Sequence, residues 1–181
     1  VRLRNVRVDK GDYIFMHGNF GHLLFNMYAL WMFGSILEQL WGSKKFMLYY
    51  LVTGLGAAAL HMGVQWIEAS SLVREINENG MEAMEALTRY RMLMSTPTVG
   101  ASGAVYGILL AYGMLFPNNE LRIIFLPIAL KAKYFVIIFA VIELILGITG
   151  GGNIAHFAHL GGMIFGFILV RYWKKKNRLY Y

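Results

Sequence analysis

The sequence predicts an all-α polytopic membrane protein with five membrane-spanning helices. Of its 181 residues, 57% are apolar and 15% are charged, against roughly 45–50% and 25% in an ordinary soluble domain. The chain also carries 12 Phe, 11 Tyr and 11 Met, more large apolar side chains than one small aqueous core can hide. Lipid is therefore expected to cover much of the apolar surface, and five long apolar stretches supply the spans.

Each predicted span has about the length needed to cross roughly 30 Å of hydrocarbon at about 1.5 Å per residue. In chain order the spans are Phe20–Leu40, Phe46–Ile67, Val99–Phe116, Ala132–Thr149 and Ile154–Tyr172. Clusters of Lys and Arg follow the first, third and fifth spans, and alternation of the helices places all three clusters on one side. The positive-inside rule makes that side cytoplasmic. We therefore predict an integral, multi-pass membrane protein with a cytoplasmic carboxyl terminus, and the compact chain favours a bacterial cytoplasmic membrane.

Composition and charge exclude several classes of function. The chain contains no cysteine, which excludes disulfides, thiolate nucleophiles and zinc sites that use cysteine. The net charge of +7 is confined to short clusters between apolar runs and does not form one basic face. We therefore predict the lipid bilayer as a partner and no binding of nucleic acid.

One long polar segment, residues 68–97, separates the second and third spans and carries half of the acidic residues. Its apolar spacing allows one or two short amphipathic helices, broken at Asn79-Gly80. We predict that residues 68–97 form a polar helical insert on the outer side, within a single membrane domain that covers residues 1–181.

Polar side chains within the apolar spans gather at the outer ends of three helices. His22 and Asn26 lie one turn apart on the first span, and His156 and His159 begin the fifth span. Ser102 lies near the start of the third span, where unpaired backbone N–H groups stabilise negative charge. Because polar groups in lipid are costly without a partner or a function, their shared depth predicts a site.

The residue types at this depth support acyl transfer. Ser102 supplies a hydroxyl nucleophile, and His159 supplies the base that such a hydroxyl needs. His22, Asn26 and the Ser102 N–H supply hydrogen-bond donors for an oxyanion. Tyr106 lies one turn from Ser102 and is placed to pack at the same site.

Acidic residues are not expected to reach this site. Glu38 belongs to the cytoplasmic end of its span, and Glu143 belongs to the outer part of another helix. We therefore predict a Ser-His dyad in place of a Ser-His-Asp triad, with another group orienting the histidine.

Two Gly-x-x-x-Gly faces predict close contacts between spans. Gly103 and Gly107 share a face of the third span, and Gly162 and Gly166 share a face of the fifth. Small residues at this spacing let helix backbones approach one another closely in a membrane.

The ordered motifs resemble those of the rhomboid family of intramembrane serine proteases, from about Phe15 to Trp173. The matching motifs are His17…His22-x-x-x-Asn26, Glu38-x-x-x-Gly42, Gly100-Ala101-Ser102-Gly103 and Ala158-His159-x-x-Gly162-x-x-x-Gly166. The resemblance implies a rhomboid-like helical bundle whose full family core has six spans. By that comparison this chain is expected to lack the first transmembrane helix.

The resemblance also implies roles for the residues in these motifs. Ser102 would be the nucleophile and His159 the general base, and the oxyanion hole would consist of His22, Asn26 and Ser102. Supporting residues would be His17, Tyr106, Gly100, Gly103, Gly162 and Gly166. No metal and no cofactor would be needed.

The substrates implied by the resemblance are transmembrane proteins, which such enzymes cut in or near a membrane-spanning segment. The predicted span Ala132–Thr149 would be the lateral gate helix, and Gly147–Ala155 would be a cap loop above the site.

Two alternatives remain open from the sequence. The first is a catalytically inactive rhomboid-like protein that binds membrane-protein clients, although such relatives typically lack the serine or the histidine, and both are present here. The second is a zinc site formed by His17, His22, His156 and His159. The zinc alternative is weakened because the sequence shows no His-Glu-x-x-His motif and no carboxylate on the same face.

Overall fold

The computed structural model describes residues 20–79, 83–95, 101–122, 129–149 and 155–176, which form a helical bundle with one short β-ribbon. In chain order the elements are α1 (Phe20–Ala29), a π-helical turn (Leu30–Gly34), α2 (Ser35–Trp41), α3 (Ser43–Asn79), α4 (Met84–Ser95), α5 (Ala101–Leu115), β1 (Glu120–Arg122), β2 (Ala129–Lys131), α6 (Ala132–Thr149) and α7 (Ala155–Lys175).

The first predicted span is one run of helix from α1 through the π-helical turn to α2. It ends at Gly42, which has a φ of 75°, a conformation that glycine adopts without the steric cost of a Cβ atom. The Gly42 N–H donates to the Glu38 carbonyl oxygen at 2.7 Å. The Glu38-x-x-x-Gly42 spacing thus ends one helix and lets α3 begin at Ser43.

The second predicted span is longer than the sequence indicated. Helix α3 has 37 residues and is therefore about 55 Å long at about 1.5 Å per residue, well beyond the thickness of a bilayer core. It continues through residues 68–79, where the sequence favoured separate short helices, and ends at Asn79.

The rest of the polar insert packs back on α3. Helix α4 runs antiparallel to the end of α3, and Leu72, Ala86 and Leu93 are buried between the two helices. The Gln65 side chain of α3 donates from Nε2 to the Leu93 carbonyl oxygen at 3.0 Å. The described part of the insert is therefore a helical hairpin that extends the second span.

Glycines bring α3, α5 and α7 together at the centre of the bundle. A Cβ atom on Gly103 would lie 2.9 Å from the Ala158 carbonyl oxygen, and one on Gly162 would collide with the Gly103 carbonyl. Gly107 is equally close to α3, where a Cβ would lie 2.8 Å from Thr53 Cβ. The predicted close approach of the third and fifth spans is therefore present, and it fixes the backbone of α5 against that of α7.

Aromatic side chains fill the bundle at the end away from Ser102. Trp41, Tyr49 and Trp173 are buried, and the rings of Trp41 and Trp173 meet edge to face with centroids 5.2 Å apart. Tyr49 OH also donates to the Gly107 carbonyl oxygen at 2.7 Å, which satisfies a buried phenol.

Two of the described helices, Ser43–Glu78 and Ala132–Thr149, are long and apolar enough by themselves to cross a membrane, and Ala101–Leu115 is apolar but shorter. Much of α6 exposes large apolar side chains, such as Ile137 and Ile148. Such a surface is expected to face lipid, as in a helical membrane bundle.

The β-ribbon between α5 and α6 was not predicted. Its strands pair antiparallel, with Glu120 opposite Lys131 and Arg122 opposite Ala129. Strands of three residues give too short an alternation to be detected in a sequence, and the all-α class is unchanged by them.

Candidate active site

Ser102 and His159 meet between α5 and α7. Ser102 is the second residue of α5 and is only 6% exposed. Its Oγ lies 3.1 Å from Nε2 of His159, within hydrogen-bond distance. The close contact of Gly103 and Gly162, one and three residues further along their helices, sets this separation. Both residues are predicted by the sequence, and the fold brings them together.

Tyr106 packs against the histidine from one turn along α5. The Tyr106 and His159 rings are stacked, with centroids 4.1 Å apart and planes 9° apart. Stacking on one face restricts the plane of the imidazole ring.

His22 and Asn26 lie on the wall of a cavity of about 390 Å³ that also contacts Tyr106 and His159. The Asn26 Nδ2 donates to the His22 carbonyl oxygen at 2.9 Å. An amide group carries a second N–H, so this bond leaves one donor for another acceptor. His17 and Gly100, and the middle of the predicted cap loop at 150–154, lie outside the described residues.

Glu143 reaches the site, and the expectation that no acidic residue does so is wrong. Its Oε2 lies 2.6 Å from Nδ1 of His156 and 2.9 Å from Nδ1 of His159. Its Oε1 accepts a hydrogen bond from Tyr106 OH at 2.5 Å. Glu143 is 6% exposed, because α6 packs this side chain against α5 and α7.

The two histidine contacts of Glu143 differ in geometry. His156 makes a hydrogen bond to Oε2. Nδ1 of His159 is buried and has no aligned hydrogen-bond acceptor, so its 2.9 Å contact with Oε2 lies off the direction of the N–H bond. The carboxylate therefore lies close enough to act on His159 by charge in this arrangement.

The signal that identifies Glu143 is present in the sequence. Apart from Lys133 near its first turn, Glu143 is the only charged residue in Ala132–Thr149. An ionisable side chain within a membrane span indicates a functional site. The sequence places Glu143 on a different helix from His159, and only the packing of α6 shows that the two side chains meet.

The same groups have the composition of a metal site. Ligand atoms of Glu143, His156 and His159 lie within 4.8 Å of one another, and the argument that a carboxylate is missing is therefore wrong. Both carboxylate oxygens, however, already lie within hydrogen-bond distance of protein donors, and His159 directs its other nitrogen at Ser102. Protein contacts thus account for the whole cluster without a metal.

The apolar helices and their glycine-mediated packing are those of an integral membrane protein, and a buried serine is paired with a histidine inside the bundle. The family model of the Rhomboid domain matches residues 11–176. The chain belongs to the rhomboid family.

Curated relatives match most of this chain. The human presenilin-associated rhomboid-like protein, mitochondrial, is 32% identical over 177 residues, which cover 91% of this chain and 39% of the relative. Rhomboid protein 1, mitochondrial, of Saccharomyces cerevisiae is 26% identical over 166 residues, which cover 89% of this chain and 40% of the relative. RHOMBOID-like protein 4 of Arabidopsis thaliana is 30% identical over 154 residues, which cover 85% of this chain and 31% of the relative.

The chain thus spans about two fifths of the length of the first relatives it matches. No solved structure matches it.

Proposed function

We propose that the protein is an intramembrane serine endopeptidase that hydrolyses peptide bonds in or near the transmembrane segments of membrane-anchored substrates. The observation that carries this proposal is the 3.1 Å separation between Ser102 Oγ and His159 Nε2. Family membership supports it, because rhomboid proteins are generally intramembrane serine proteases.

In the proposed reaction His159 acts first as a base and then as an acid. Nε2 accepts the hydroxyl proton of Ser102 while Oγ attacks the substrate carbonyl carbon, and the carbonyl π electrons move to oxygen. His159 then donates this proton to the leaving amine as the C–N bond breaks. Water hydrolyses the resulting acyl-enzyme by the same proton transfers and restores the Ser102 hydroxyl.

The oxyanion formed in this reaction needs donors. Ser102 lies in the first turn of α5, where backbone N–H groups have no partner within the helix, so its N–H is one donor. His22 and Asn26, on the wall of the adjoining cavity, supply the others from α1. These donors stabilise charge that develops only in the transition state.

The cavity favours an apolar substrate segment. It lies between α1, α5 and α6, and aromatic and aliphatic side chains such as Phe25, Phe135 and Phe139 form most of its wall. Polar groups on the wall include His22, Asn26 and His159, and His159 contacts Ser102. This arrangement suits a membrane segment that enters past α6, the proposed gate, and presents one peptide bond to the polar end.

The experiment is activity-based labelling of the full chain in detergent with a fluorophosphonate probe. We expect Ser102→Ala to abolish labelling and cleavage of a single-span model substrate, because the hydroxyl paired with His159 among the described residues is that of Ser102. Ser70→Ala, the same change at an exposed serine, is the control and is expected to keep both activities. Labelling that survives in Ser102→Ala would overturn the nucleophile assignment. Substrate binding without any Ser102-dependent labelling would favour the inactive, client-binding alternative.

The choice of membrane is part of this proposal. The compact chain favoured a bacterial cytoplasmic membrane, but the human and yeast relatives carry names that place those proteins in mitochondria, and the comparisons do not support the bacterial choice. We propose a multi-pass protein whose carboxyl terminus, rich in Lys and Arg, lies on the cytoplasmic side or the side equivalent to it.

A further inference from the structure

We propose that Glu143 is a positioning residue that completes a Ser102–His159–Glu143 arrangement built from three different helices. The inference rests on the proposed proteolytic function and deepens it. A dyad leaves open which group orients the histidine. The structure places a buried carboxylate 2.9 Å from the imidazole nitrogen that faces away from the serine.

The position of Glu143 suits the charge that forms during the reaction. When His159 takes the Ser102 proton, the ring becomes an imidazolium, and its Nδ1 lies 2.9 Å from Oε2 of Glu143. Opposite charges at this distance attract more strongly at a buried site than in water. The carboxylate therefore stabilises the state of His159 that exists only after Oγ begins its attack, which is the role of the acidic residue in Ser-His-Asp triads.

Two further contacts hold the carboxylate in place. Tyr106 OH donates to Oε1 at 2.5 Å, and His156 Nδ1 lies 2.6 Å from Oε2. A carboxylate oxygen has two acceptor sites, so the bond to His156 leaves room for His159 on the same oxygen. Tyr106 thus acts twice, because its ring stacks on His159 and its hydroxyl orients Glu143. These contacts also offset the cost of burying the charge.

If Glu143 had only a structural role, it would serve to hold α6 against α7, and other contacts between these two helices already do so. Gly147 of α6 lies against the Phe157 ring, 3.3 Å from the position of a Cβ atom, so α6 and α7 pack together one turn beyond Glu143 without any charge. Packing alone would tolerate an uncharged side chain of the same shape at position 143. The positioning role requires the negative charge.

The test is Glu143→Gln in the full chain, which keeps the shape of the side chain and removes its charge. The readouts are kcat and KM for a single-span substrate, the rate of fluorophosphonate labelling, and the thermal unfolding temperature. We expect kcat and the labelling rate to fall about 100-fold, within the range for acid–base catalysis, with KM and the unfolding temperature unchanged. Glu143→Asp, which keeps the charge, should recover part of the loss, and Glu120→Gln at an exposed carboxylate should change nothing.

Tyr106→Phe provides a second variant in case Glu143→Gln does not fold. It keeps the stacked ring and removes the donor to Oε1, so a reduced kcat at an unchanged unfolding temperature supports the proposal. Wild-type kcat in Glu143→Gln, or in Tyr106→Phe if only that variant folds, overturns it. A kcat that falls only together with the unfolding temperature, without recovery in Glu143→Asp, shows a structural role and also overturns it.

Two controls separate this proposal from the others. The same experiment measures Ser102-dependent labelling of the wild-type chain, which tests the proposed function by itself. If that labelling is present and Glu143→Gln has no effect, the positioning role fails and the proposed function stands. Loss of wild-type labelling in EDTA, with recovery on adding Zn²⁺, would assign Glu143, His156 and His159 to a metal and overturn the positioning role.

Discussion

At the scale of single residues, the proposed reaction of Ser102 depends on how His159 is held. The imidazole is fixed by three neighbours: the Tyr106 ring on its face, Ser102 at Nε2 and Glu143 near Nδ1. The second histidine, His156, contacts Glu143 and meets His159 only edge to face, with ring centroids 6.3 Å apart. The two histidines are therefore not equivalent, although the sequence places them three residues apart on one helix.

Replacing each histidine separately tests this distinction. We expect His159→Ala to lower kcat about 10³-fold or more, because serine without a base is a poor nucleophile. His156→Ala should lower kcat by about 10-fold or less, because it removes a partner of Glu143 and leaves the contact between His159 and Ser102. The measurement is the rate of cleavage of a single-span substrate. Equal losses in the two variants would contradict the assignment of His159 as the base.

At the scale of helices, the site depends on the absence of side chains where α5 crosses α7. Gly103 and Gly162 lie in backbone contact, and Gly166 lies against Tyr49 and Gly107. In lipid, where apolar side chains gain little from leaving the solvent, such close backbone packing drives helix association. Because Ser102 and His159 lie beside these glycines, the packing of the two helices and the geometry of the site are set together.

A methyl group added at this crossing should damage the fold and the site together. We expect Gly162→Ala to destabilise the protein by about 1–3 kcal/mol, typical of overpacking, and to slow fluorophosphonate labelling, because its Cβ would push α7 away from the Gly103 carbonyl. Gly63→Ala on α3, where a Cβ meets nothing within 4 Å, is the matched control. That variant should be neutral or more stable by up to about 1 kcal/mol, since alanine is the better helix former. Thermal unfolding in detergent measures both effects, and equal shifts would contradict this account.

The geometry of the first span also shapes the wall of the cavity. The π-helical turn Leu30–Gly34 interrupts the first span beside the cavity, and Met32 and Phe33 from this turn form part of its wall. π-helical turns inside α-helices are often found at functional sites. Here the turn separates α1, which carries His22 and Asn26, from α2, which packs into the aromatic end of the bundle.

At the scale of the whole molecule, the helical hairpin of α3 and α4 extends beyond the span predicted at Phe46–Ile67. Its acidic residues contrast with the basic end of α7, where Lys174 and Lys175 are exposed. The positive-inside rule predicts that this basic end faces the cytoplasm. The hairpin and the end of α7 are therefore expected on opposite sides of the membrane.

Single-cysteine labelling tests this topology, because these 181 residues contain no cysteine. We expect Thr88→Cys on α4 and Lys175→Cys on α7, both at exposed positions, to react with a membrane-impermeant maleimide from opposite sides of sealed vesicles. Ala111→Cys, at a position with no exposure, should react from neither side. Labelling of Thr88→Cys and Lys175→Cys from the same side would contradict the predicted arrangement.

Much of the fold followed from the sequence because lipid imposes simple constraints. Long uncharged runs indicate helices, since only helices and closed barrels satisfy backbone hydrogen bonds in a bilayer. Glycine spacing indicated which helices approach closely. The length of α3 and the ribbon of β1 and β2 were not predicted, because the first depends on the packing of α4 against Leu72 and the second involves only three residues in each strand.

For the site, the sequence by itself determined the chemistry: a serine at a helix start, a histidine on another span, and donors at a similar depth. The tertiary structure decided which groups touch. It brought Ser102 within hydrogen-bond distance of His159, the base that the sequence predicted, and it brought Glu143 from α6 to the far side of the imidazole. Helical periodicity gives the face of a residue relative to its own helix, whereas the rotation of α6 against α7 depends on side-chain packing between distant segments of the chain.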